Sequence, residues 1–355
     1  YKRQMLNLIV FADSSEMTEL EKINAYGKIY LYSLIVPLIS ISGIFLAYIN
    51  KQNKLNSLIK NGIAPLKAKG MVFISPELTK PNVLIIIGSI IFVLFTLFIG
   101  TSKIQFSQEI VFVGSFGIIL LLLIKLSNEL DTKAKRMLLG TAIIIFVFRA
   151  MPGVGQGGSW FEIDVLKFDQ EFLSLLGLIA SFLTIFGIFI LRPLMEKSSM
   201  SRLIIILSVA GSIFILPSIA MYYGFHEYTS KLTGGIVDER FIAIFNTALE
   251  SPLGQVSMIP ILAWIAQSAP SHLKATFFAI LASFTNLALS ASNLGTKYLN
   301  QIFVITREVK TEQGEIKIPA DYSELGILLI IVCLLTLIVP IIITFVIKKL
   351  RLISY

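Results

Sequence analysis

The sequence predicts an all-α polytopic membrane protein with about nine transmembrane helices. Hydrophobic residues make up 55% of the 355 residues and charged residues only 15%, whereas about a quarter of the residues in a soluble domain are charged. The apolar residues are gathered into runs that are long enough for one helical crossing each. Lys and Arg concentrate in alternate loops, so the net charge of +8 indicates orientation in a membrane rather than binding to nucleic acid.

The predicted spans follow one another with mostly short connections. They cover about 28–49, 83–100, 109–127, 137–151, 171–191, 203–223, two helices within 238–300, and 325–347. The loops at 50–82, 128–136 and 192–202 and the C-terminus are basic and are predicted to be cytoplasmic. The N-terminus of the given sequence is then predicted to be outside. A protein with an even number of helices and a cytoplasmic N-terminus would show this arrangement after the loss of its first helices, and Tyr1 in place of Met suggests such a truncation.

The long basic loop at about 50–82 contains apolar residues at helical spacing among its lysines. These residues are Leu55, Leu58, Ile59, Ile63 and Leu66. The pattern fits a short helix that lies on an anionic membrane leaflet, and it fits a solvated linker equally well. Membrane lipid is an expected partner of the whole protein.

The stretch 238–300 places polar side chains deep inside apolar sequence, on two predicted helices separated at Ala269-Pro270. The first helix carries Asn246, Glu250, Gly254 and Ser257 at helical spacing with Gln255 beside them, and the second carries Thr276, Ser283, Asn286, Ser290, Asn293 and Lys297 on one face. A carboxylate such as Glu250 costs roughly 2.5–3.5 kcal/mol inside a membrane, so it should face protein or water. The two helices are therefore predicted to line a polar path, although Asn286 and Asn293 also suit hydrogen bonds between helices.

Arg149 lies just before a cluster of proline and glycine at the end of span four. Pro152, Gly153 and Gly155 are predicted to break the helix there, as in transporter helices that unwind at the solute site. A guanidinium at this place suits a carboxylate or phosphate of an anionic solute. The alternative is structural, with Arg149 capping the helix and pairing with a carboxylate such as Glu162.

Glu250 comes two residues before Pro252, and a proline frees a backbone carbonyl and kinks the helix. Pro260 is a second candidate hinge in the same span. A desolvated carboxylate can carry a proton between the two sides of a membrane, which makes Glu250 the candidate for proton coupling. The alternative is a buried ion pair with Arg149 or Lys297.

Span five carries a row of small residues. Ser174, Gly177, Ser181 and Thr184 recur at steps of three and four residues. Small residues at this spacing let membrane helices approach closely. A close helix contact is therefore predicted along this face.

Enzymatic chemistry finds little support in the sequence. The only histidines, His226 and His272, lie far apart in predicted loops, which leaves neither a metal cluster nor a Ser-His arrangement. No G-x-x-x-x-G-K-[ST] motif for nucleotide phosphates occurs. We expect no cofactor, no metal and no enzymatic activity.

Two stretches of the chain resemble the folate-biopterin transporter family, a branch of the major facilitator superfamily. Between about 149 and 191 they include FRAMP, a Gly-rich loop and LKFDQEFLSLLGLIAS, and between about 238 and 293 they include LESPLGQVSMIPILAWIA and KATFFAILASFTNLALSASNLG. The resemblance implies a secondary transporter in which two helix bundles rock about a solute site. It also implies that 128–355 is the C-terminal six-helix bundle and 1–127 the end of the N-terminal bundle, in a parent of twelve or fourteen helices.

These patterns predict a secondary active transporter for a small, anionic organic solute in the plasma (inner) membrane, with a proton as a candidate coupling ion. The alternative is a non-transporting membrane sensor or assembly scaffold, in which the polar faces only hold helices together. Solute flux into proteoliposomes distinguishes the two classes. Nucleic acid is not an expected partner.

Overall fold

The computed structural model describes residues 27–28, 31–72, 83–102, 104–128, 130–268, 274–310 and 316–352. Most of these residues are helical. Three predicted features lie outside the described residues: the N-terminal segment 1–26, the 73–82 end of the basic loop, and the Ala269-Pro270 boundary with the neighbouring His272.

The chain divides into two compact units, one formed by residues 1–82 and 170–178 and the other by residues 83–169 and 179–355. The helices, numbered here in chain order, are α1 (Ile35–Lys60), α2 (Pro65–Val72), α3 (Val83–Thr101), α4 (Ser107–Ser127), α5 (Thr132–Arg149), α6 (Gln156–Asp164), α7 (Gln170–Ile190), α8 (Arg192–Lys197), α9 (Met200–Tyr222), α10 (Phe225–Leu232), α11 (Glu239–Glu250), α12 (Gly254–Ser268), α13 (Lys274–Ile302) and α14 (Leu325–Lys349). A 3₁₀ turn, Ser251–Leu253, separates α11 from α12.

In the first unit, α1 covers residues 35–49 of the first predicted span and continues into the basic loop. It includes Leu55, Leu58 and Ile59 and ends at Lys60, because no glycine or proline lies between Gly43 and Gly62. Gly62 has a φ of 85° and turns the chain into α2. The predicted pattern is thus divided between two helices, with Leu55, Leu58 and Ile59 in α1 and Leu66 in the short helix α2. Contact of this segment with a membrane leaflet stays a prediction.

The described part contains six helices that are long and apolar enough to cross a membrane. They are Leu31–Lys60, Ser107–Ser127, Gln170–Ile190, Met200–Tyr222, Thr276–Ile302 and Leu325–Lys349, and Ile86–Thr101 is a shorter apolar helix. The remaining predicted spans are helical too, but α5 begins among basic residues and the seventh span is divided into α11 and α12. The predicted all-α polytopic membrane fold is confirmed.

In the second unit, α13 packs against both α4 and α5, and α9 packs extensively against α14. Ile144 and Ile145 of α5 and Phe277 of α13 are completely buried in this core. Where α9 meets α14, the Ser212 hydroxyl donates a hydrogen bond of 3.2 Å to the Cys333 carbonyl oxygen. These contacts fix α13 as the helix that connects α4 to the rest of the core.

A polar cluster joins α6 to the segment between α13 and α14. Arg307 reaches the Asp164 carboxylate with both Nε (2.9 Å) and Nη2 (2.8 Å), and the Tyr322 hydroxyl donates to the same carboxylate at 2.7 Å. The hydrogen bonds from Arg307 hold the pKa of Asp164 below its usual value. Burial, together with the bond to Asp164, raises the pKa of Tyr322 to about 12.

The same segment also contains a short β-hairpin that the sequence reading did not predict. Strand β1 (Val309–Lys310) pairs antiparallel with β2 (Ile316–Ile318). Next to it, Thr306 and Asp321 exchange two backbone hydrogen bonds of 3.0 and 2.9 Å. These bonds bring Tyr322 back toward α6.

Candidate functional site

The predicted polar face of α13 lines a groove that it forms with α3 and α4. The groove encloses about 520 Å³, which is within the usual range for small-molecule sites. Four polar side chains of α13 line it: Ser283, Asn286, Ser290 and Asn293. From the opposite side, α3 and α4 contribute Thr96, Gln108 and Ser115.

A second cavity of about 380 Å³ continues this groove along the same three helices. The two cavities share Phe92, Ile119 and Ser283 among their lining residues, and the second one reaches Thr276. The hydroxyl of Thr96 is buried and has no hydrogen-bond partner among the described residues. Polar side chains of α13 between Thr276 and Asn293 therefore line both cavities, although the second cavity is mainly apolar. The first helix of the predicted pair contributes no described residue to either cavity, and a polar path across the membrane stays a prediction.

An ion pair lies one helical turn beyond Asn293. Lys297 Nζ is 2.7 Å from Glu109 Oε1, and the Tyr298 hydroxyl donates to the same oxygen at 2.8 Å. The other carboxylate oxygen, Glu109 Oε2, is buried and has no hydrogen-bond partner among the described residues. The predicted alternative of an ion pair between Lys297 and Glu250 is wrong, because Lys297 is bound to Glu109.

The helix break predicted after Arg149 is present, and α13 fixes it. The α5 helix ends at Arg149 and α6 begins at Gln156. Three hydrogen bonds connect the intervening backbone to α13. The Ser292 hydroxyl donates to the Met151 carbonyl (2.6 Å), and the Asn300 side-chain amide donates to the Val154 carbonyl (3.1 Å). In the other direction, the backbone N–H of Gly153 donates to the Thr296 hydroxyl (2.8 Å). Ser292, Thr296 and Asn300 lie on a different face of α13 from the groove.

The residues of the break fit this arrangement closely. Gly155 has a φ of 80°, a conformation that favours glycine, and a Cβ atom at this position would lie 2.9 Å from the Asn300 side-chain nitrogen. Gly295 of α13 lies against Pro152, whose ring would be 3.2 Å from an added Cβ. The predicted hinge residues Pro152, Gly153 and Gly155 therefore all belong to a segment that is bound to α13.

Arg149, the last residue of α5, contacts α12 rather than a carboxylate. Its Nη1 donates to the Met258 sulfur at 3.2 Å, and its Nε is buried without a partner among the described residues. A thioether is a weak acceptor, so among the described residues the guanidinium forms one weak hydrogen bond and no ion pair. The predicted structural alternative of a pair between Arg149 and Glu162 is therefore wrong.

Glu162 instead lines a separate cavity of about 230 Å³ next to the break. Gly155 and Gly158 contribute to the same cavity, as does Ser218 of α9. Burial raises the pKa of the Glu162 carboxyl.

The second predicted break, at Pro252, is also present. The α11 helix ends at Glu250, and the exposed Glu250 side chain forms no ion pair with Arg149 in the described structure. The Ser251 carbonyl accepts a hydrogen bond of 2.9 Å from Thr184 of α7. The close contact predicted for the small-residue row thus occurs at Thr184. Gly187, one turn further along α7 and not part of that row, also lies close to the backbone of Pro252.

The predicted site residues thus fall into separate groups. Asn286 and Asn293 face the groove, with Lys297 one turn further on, whereas Arg149 and Glu250 mark the two helix breaks outside it. Asn246 is on α11 and Pro260 is inside α12, and the Gln255 side chain lies outside the described residues. The register predicted from Asn246 through Ser257 is wrong as a single helical face, because the 3₁₀ turn interrupts it.

Sequence reasoning missed the residues that complete the groove. Thr96 lies inside the predicted span 83–100, which was identified only by its apolar run, and Gln108 lies immediately before the predicted span 109–127. A polar residue inside or next to an apolar run was the available signal. Glu109 was missed as the partner of Lys297 because 188 residues separate the two in sequence. Within the part of the chain that the structure describes, no group of three or more His, Cys, Asp and Glu residues could hold a metal ion.

The long apolar helices place the chain among polytopic membrane proteins, and two broken helices and a polar groove are the features of its candidate site. The chain belongs to the BT1 family, whose model matches residues 77–354. Over 156 residues it is 23% identical to a folate-biopterin transporter of Synechocystis sp. (strain ATCC 27184 / PCC 6803 / Kazusa), and this match covers 44% of the chain but only 30% of that relative. No solved structure matches the chain. The predicted family is confirmed, and the major facilitator assignment stays a prediction.

Proposed function

We propose that this protein is a secondary active transporter that moves a small, anionic organic solute across a membrane by alternating access. The observation that carries the proposal is the groove of about 520 Å³ in which the hydroxyl and amide groups of α13 face those of α3 and α4. Polar groups between apolar membrane helices are costly in free energy unless they face water or a ligand. Membership of the BT1 family and the relative that is named a folate-biopterin transporter support the same activity.

The two helix breaks suit alternating access. Discontinuous helices are typical of transporters in which one bundle rocks against another about a central solute site. If 1–127 and 128–355 belong to the two bundles of a major facilitator fold, then α3 and α4 belong to one bundle and α13 to the other. The groove then lies at the bundle interface, which is where such a transporter binds its solute.

Uptake into proteoliposomes tests the proposal, with radiolabelled folate and biopterin as the two probes. Asn286→Ala should reduce uptake of the probe that is transported by about three- to tenfold, because it removes a hydrogen-bonding amide from the groove. Leu289→Ala is the matched control, since Leu289 is on the same helix, is exposed and does not line the groove. The proposal fails if neither probe enters wild-type vesicles faster than protein-free vesicles, or if both variants behave alike.

Arg149 and Glu250 are proposed to act at the breaks, where Arg149 contacts an anionic group of the solute and Glu250 carries a coupled proton. Arg149→Gln should then raise the KM for an anionic probe about tenfold or more, since a charge-assisted hydrogen bond is lost. Glu250→Gln should abolish accumulation driven by a pH gradient and spare exchange of solute for solute. Equal losses in both assays for both variants would assign the two residues a structural role only.

A further inference from the structure

We propose that Lys297, at the end of the groove, is a cationic contact for a carboxylate of the transported solute, and that Glu109 holds Lys297 before the solute binds and takes up a proton when the solute displaces it. This inference rests on the proposed function and names the chemical class of its solute. It also assigns a proton-binding step to Glu109, a residue that the sequence patterns did not indicate, in addition to the one proposed for Glu250.

The position of the pair supports a role in the groove. Lys297 follows Asn293 by one helical turn on the same face of α13, and Glu109 follows the lining residue Gln108 in α4. The described side chains that line the groove and its continuation are all uncharged. A carboxylate that enters the groove and binds the amides of α13 therefore meets Lys297 as the next polar group along that face.

Only one of the two carboxylate oxygens of Glu109 has hydrogen-bond partners among the described residues, which suits a carboxylate that exchanges Lys297 for a proton. Its Oε1 accepts from both Lys297 and Tyr298, while its Oε2 is buried and accepts nothing among the described residues. A buried carboxylate oxygen without a partner is costly and calls for an explanation. A proton that binds to Oε2 when Lys297 leaves provides one, because a protonated carboxyl group carries no charge that needs a partner.

Few other titratable groups face Glu109. From α13 these are Lys297 and Tyr298, and α3, which also packs against α4, has no titratable side chain between Val83 and Thr101. In α4 itself the next charged residue is Lys125, about 24 Å away along the helix axis. Lys103 lies outside the described residues. The charge state of Glu109 is thus controlled mainly by whether Lys297 is bound to it.

The step balances in charge and protons. Before solute binds, the charges of the Lys297 ammonium and the Glu109 carboxylate neutralise each other. When a solute carboxylate binds Lys297, a proton from the water on the side of entry binds Glu109, and the groove is neutral again. Release of the solute on the other side returns Lys297 to Glu109 and discharges the proton there, so that one proton travels with the one solute carboxylate that binds Lys297.

Folate and biopterin separate the parts of this mechanism, because folate carries carboxylates and biopterin carries none. Lys297→Gln should weaken folate binding and raise its KM by about tenfold or more, and it should leave the values for biopterin within about twofold if biopterin is bound. Glu109→Gln should leave folate exchange in place, since the amide resembles the protonated acid, but an inward proton gradient should no longer accelerate folate uptake. Binding is measured by calorimetry on the purified full chain and uptake in proteoliposomes.

Arg192 and Glu196 provide the matched control pair. Their N–O distance is also 2.7 Å, but their side chains are 71% and 57% exposed, whereas those of Lys297 and Glu109 are 35% and 19% exposed. Arg192→Gln and Glu196→Gln make the same changes of charge away from the groove. They should alter neither binding nor the response to the proton gradient.

Several results would overturn the inference. It fails if Lys297→Gln weakens both probes equally, if Glu109→Gln keeps the response to the proton gradient while Glu250→Gln loses it, or if the double variant restores the wild-type values, as expected for a structural ion pair. It also fails if folate does not bind the wild-type protein. Folate binding that depends on Lys297 without any flux would support the carboxylate contact, and it would contradict both the proton step and the proposed function.

Discussion

Asp164 and Arg307 form a two-bonded ion pair across 143 residues of sequence, and the pair holds α6 to the segment that follows α13. Both guanidinium contacts are shorter than 3 Å, at 2.9 and 2.8 Å. Bidentate pairs of this kind fix orientation as well as distance. The α6 helix, which follows the break, is therefore held at both ends: the bonds between the break and α13 hold its start, and Arg307 holds its end.

The stabilisation by Asp164 should depend on pH. Because Arg307 lowers the pKa of Asp164 in the folded protein, the stabilisation is present above the ordinary value of about 3.9 and is lost as the pH falls through the lower, folded value. We expect Asp164→Asn to lower the melting temperature of the detergent-purified protein at pH 7. The difference from the wild type should shrink below about pH 4, and a difference that stays constant down to pH 3 would contradict this account.

Glu162, two residues earlier in α6, should show the opposite dependence. Burial raises its pKa, so the folded state favours the neutral acid, and the charged form becomes increasingly unfavourable as the pH rises from about 4.3 through the folded value. Glu162→Gln removes this charge, and we expect it to raise the melting temperature at pH 8 and to change it little at pH 4. The Asp164→Asn variant, measured over the same pH series, serves as the control of opposite sign.

The hydrogen bonds between α13 and the break should contribute to stability. Ser292→Ala leaves the Met151 carbonyl without its donor, which should cost about 1–3 kcal/mol of unfolding free energy and speed hydrogen exchange in residues 150–155. Ser283→Ala is the matched control on the same helix, because the Ser283 hydroxyl bonds only to the Ala279 carbonyl of its own helix. Equal exchange rates in the two variants would show that the bond from Ser292 does not hold the break.

Gly187 allows α7 to touch the backbone at Pro252, so a methyl group there should be harmful. We expect Gly187→Ala to lower the melting temperature clearly, because the atoms that it would meet belong to backbone and cannot turn aside. Gly117→Ala is the control, since Gly117 is also helical and has no atom within 4 Å of the added carbon. That variant should be neutral or slightly stabilising, as alanine favours helix more than glycine does.

The sequence predicted the features that depend on local chemistry. The breaks after Arg149 and Glu250 follow from proline and glycine, whose backbone preferences act on their immediate neighbours. The groove face of α13 follows from the spacing of Asn286 and Asn293, since helical periodicity brings such residues to one side.

Features that depend on tertiary contacts could not be predicted in the same way. The spacing of Ser292, Thr296 and Asn300 is as regular as that of the groove residues, but nothing in it shows that the face binds backbone rather than solute. The sequence also could not show which carboxylate pairs with Lys297. Glu109 and Glu250 carry the same charge, and only the arrangement of the helices brings one of them close to Lys297. The β-hairpin was hidden because its two strands are only two and three residues long.

The two polar faces of α13 have a thermodynamic consequence that neither face has alone. One face lines the groove through Asn286 and Asn293, and the other is bonded to the backbone of the break through Ser292 and Thr296. A ligand that shifts α13 must also change the strength of those bonds. By thermodynamic linkage, a change in those bonds must in turn change the affinity for the ligand. Opening of the break should change solute affinity by the same factor by which bound solute changes that opening. A variant that weakens the bonds to the break should thus alter solute affinity, even though Ser292 does not line the groove.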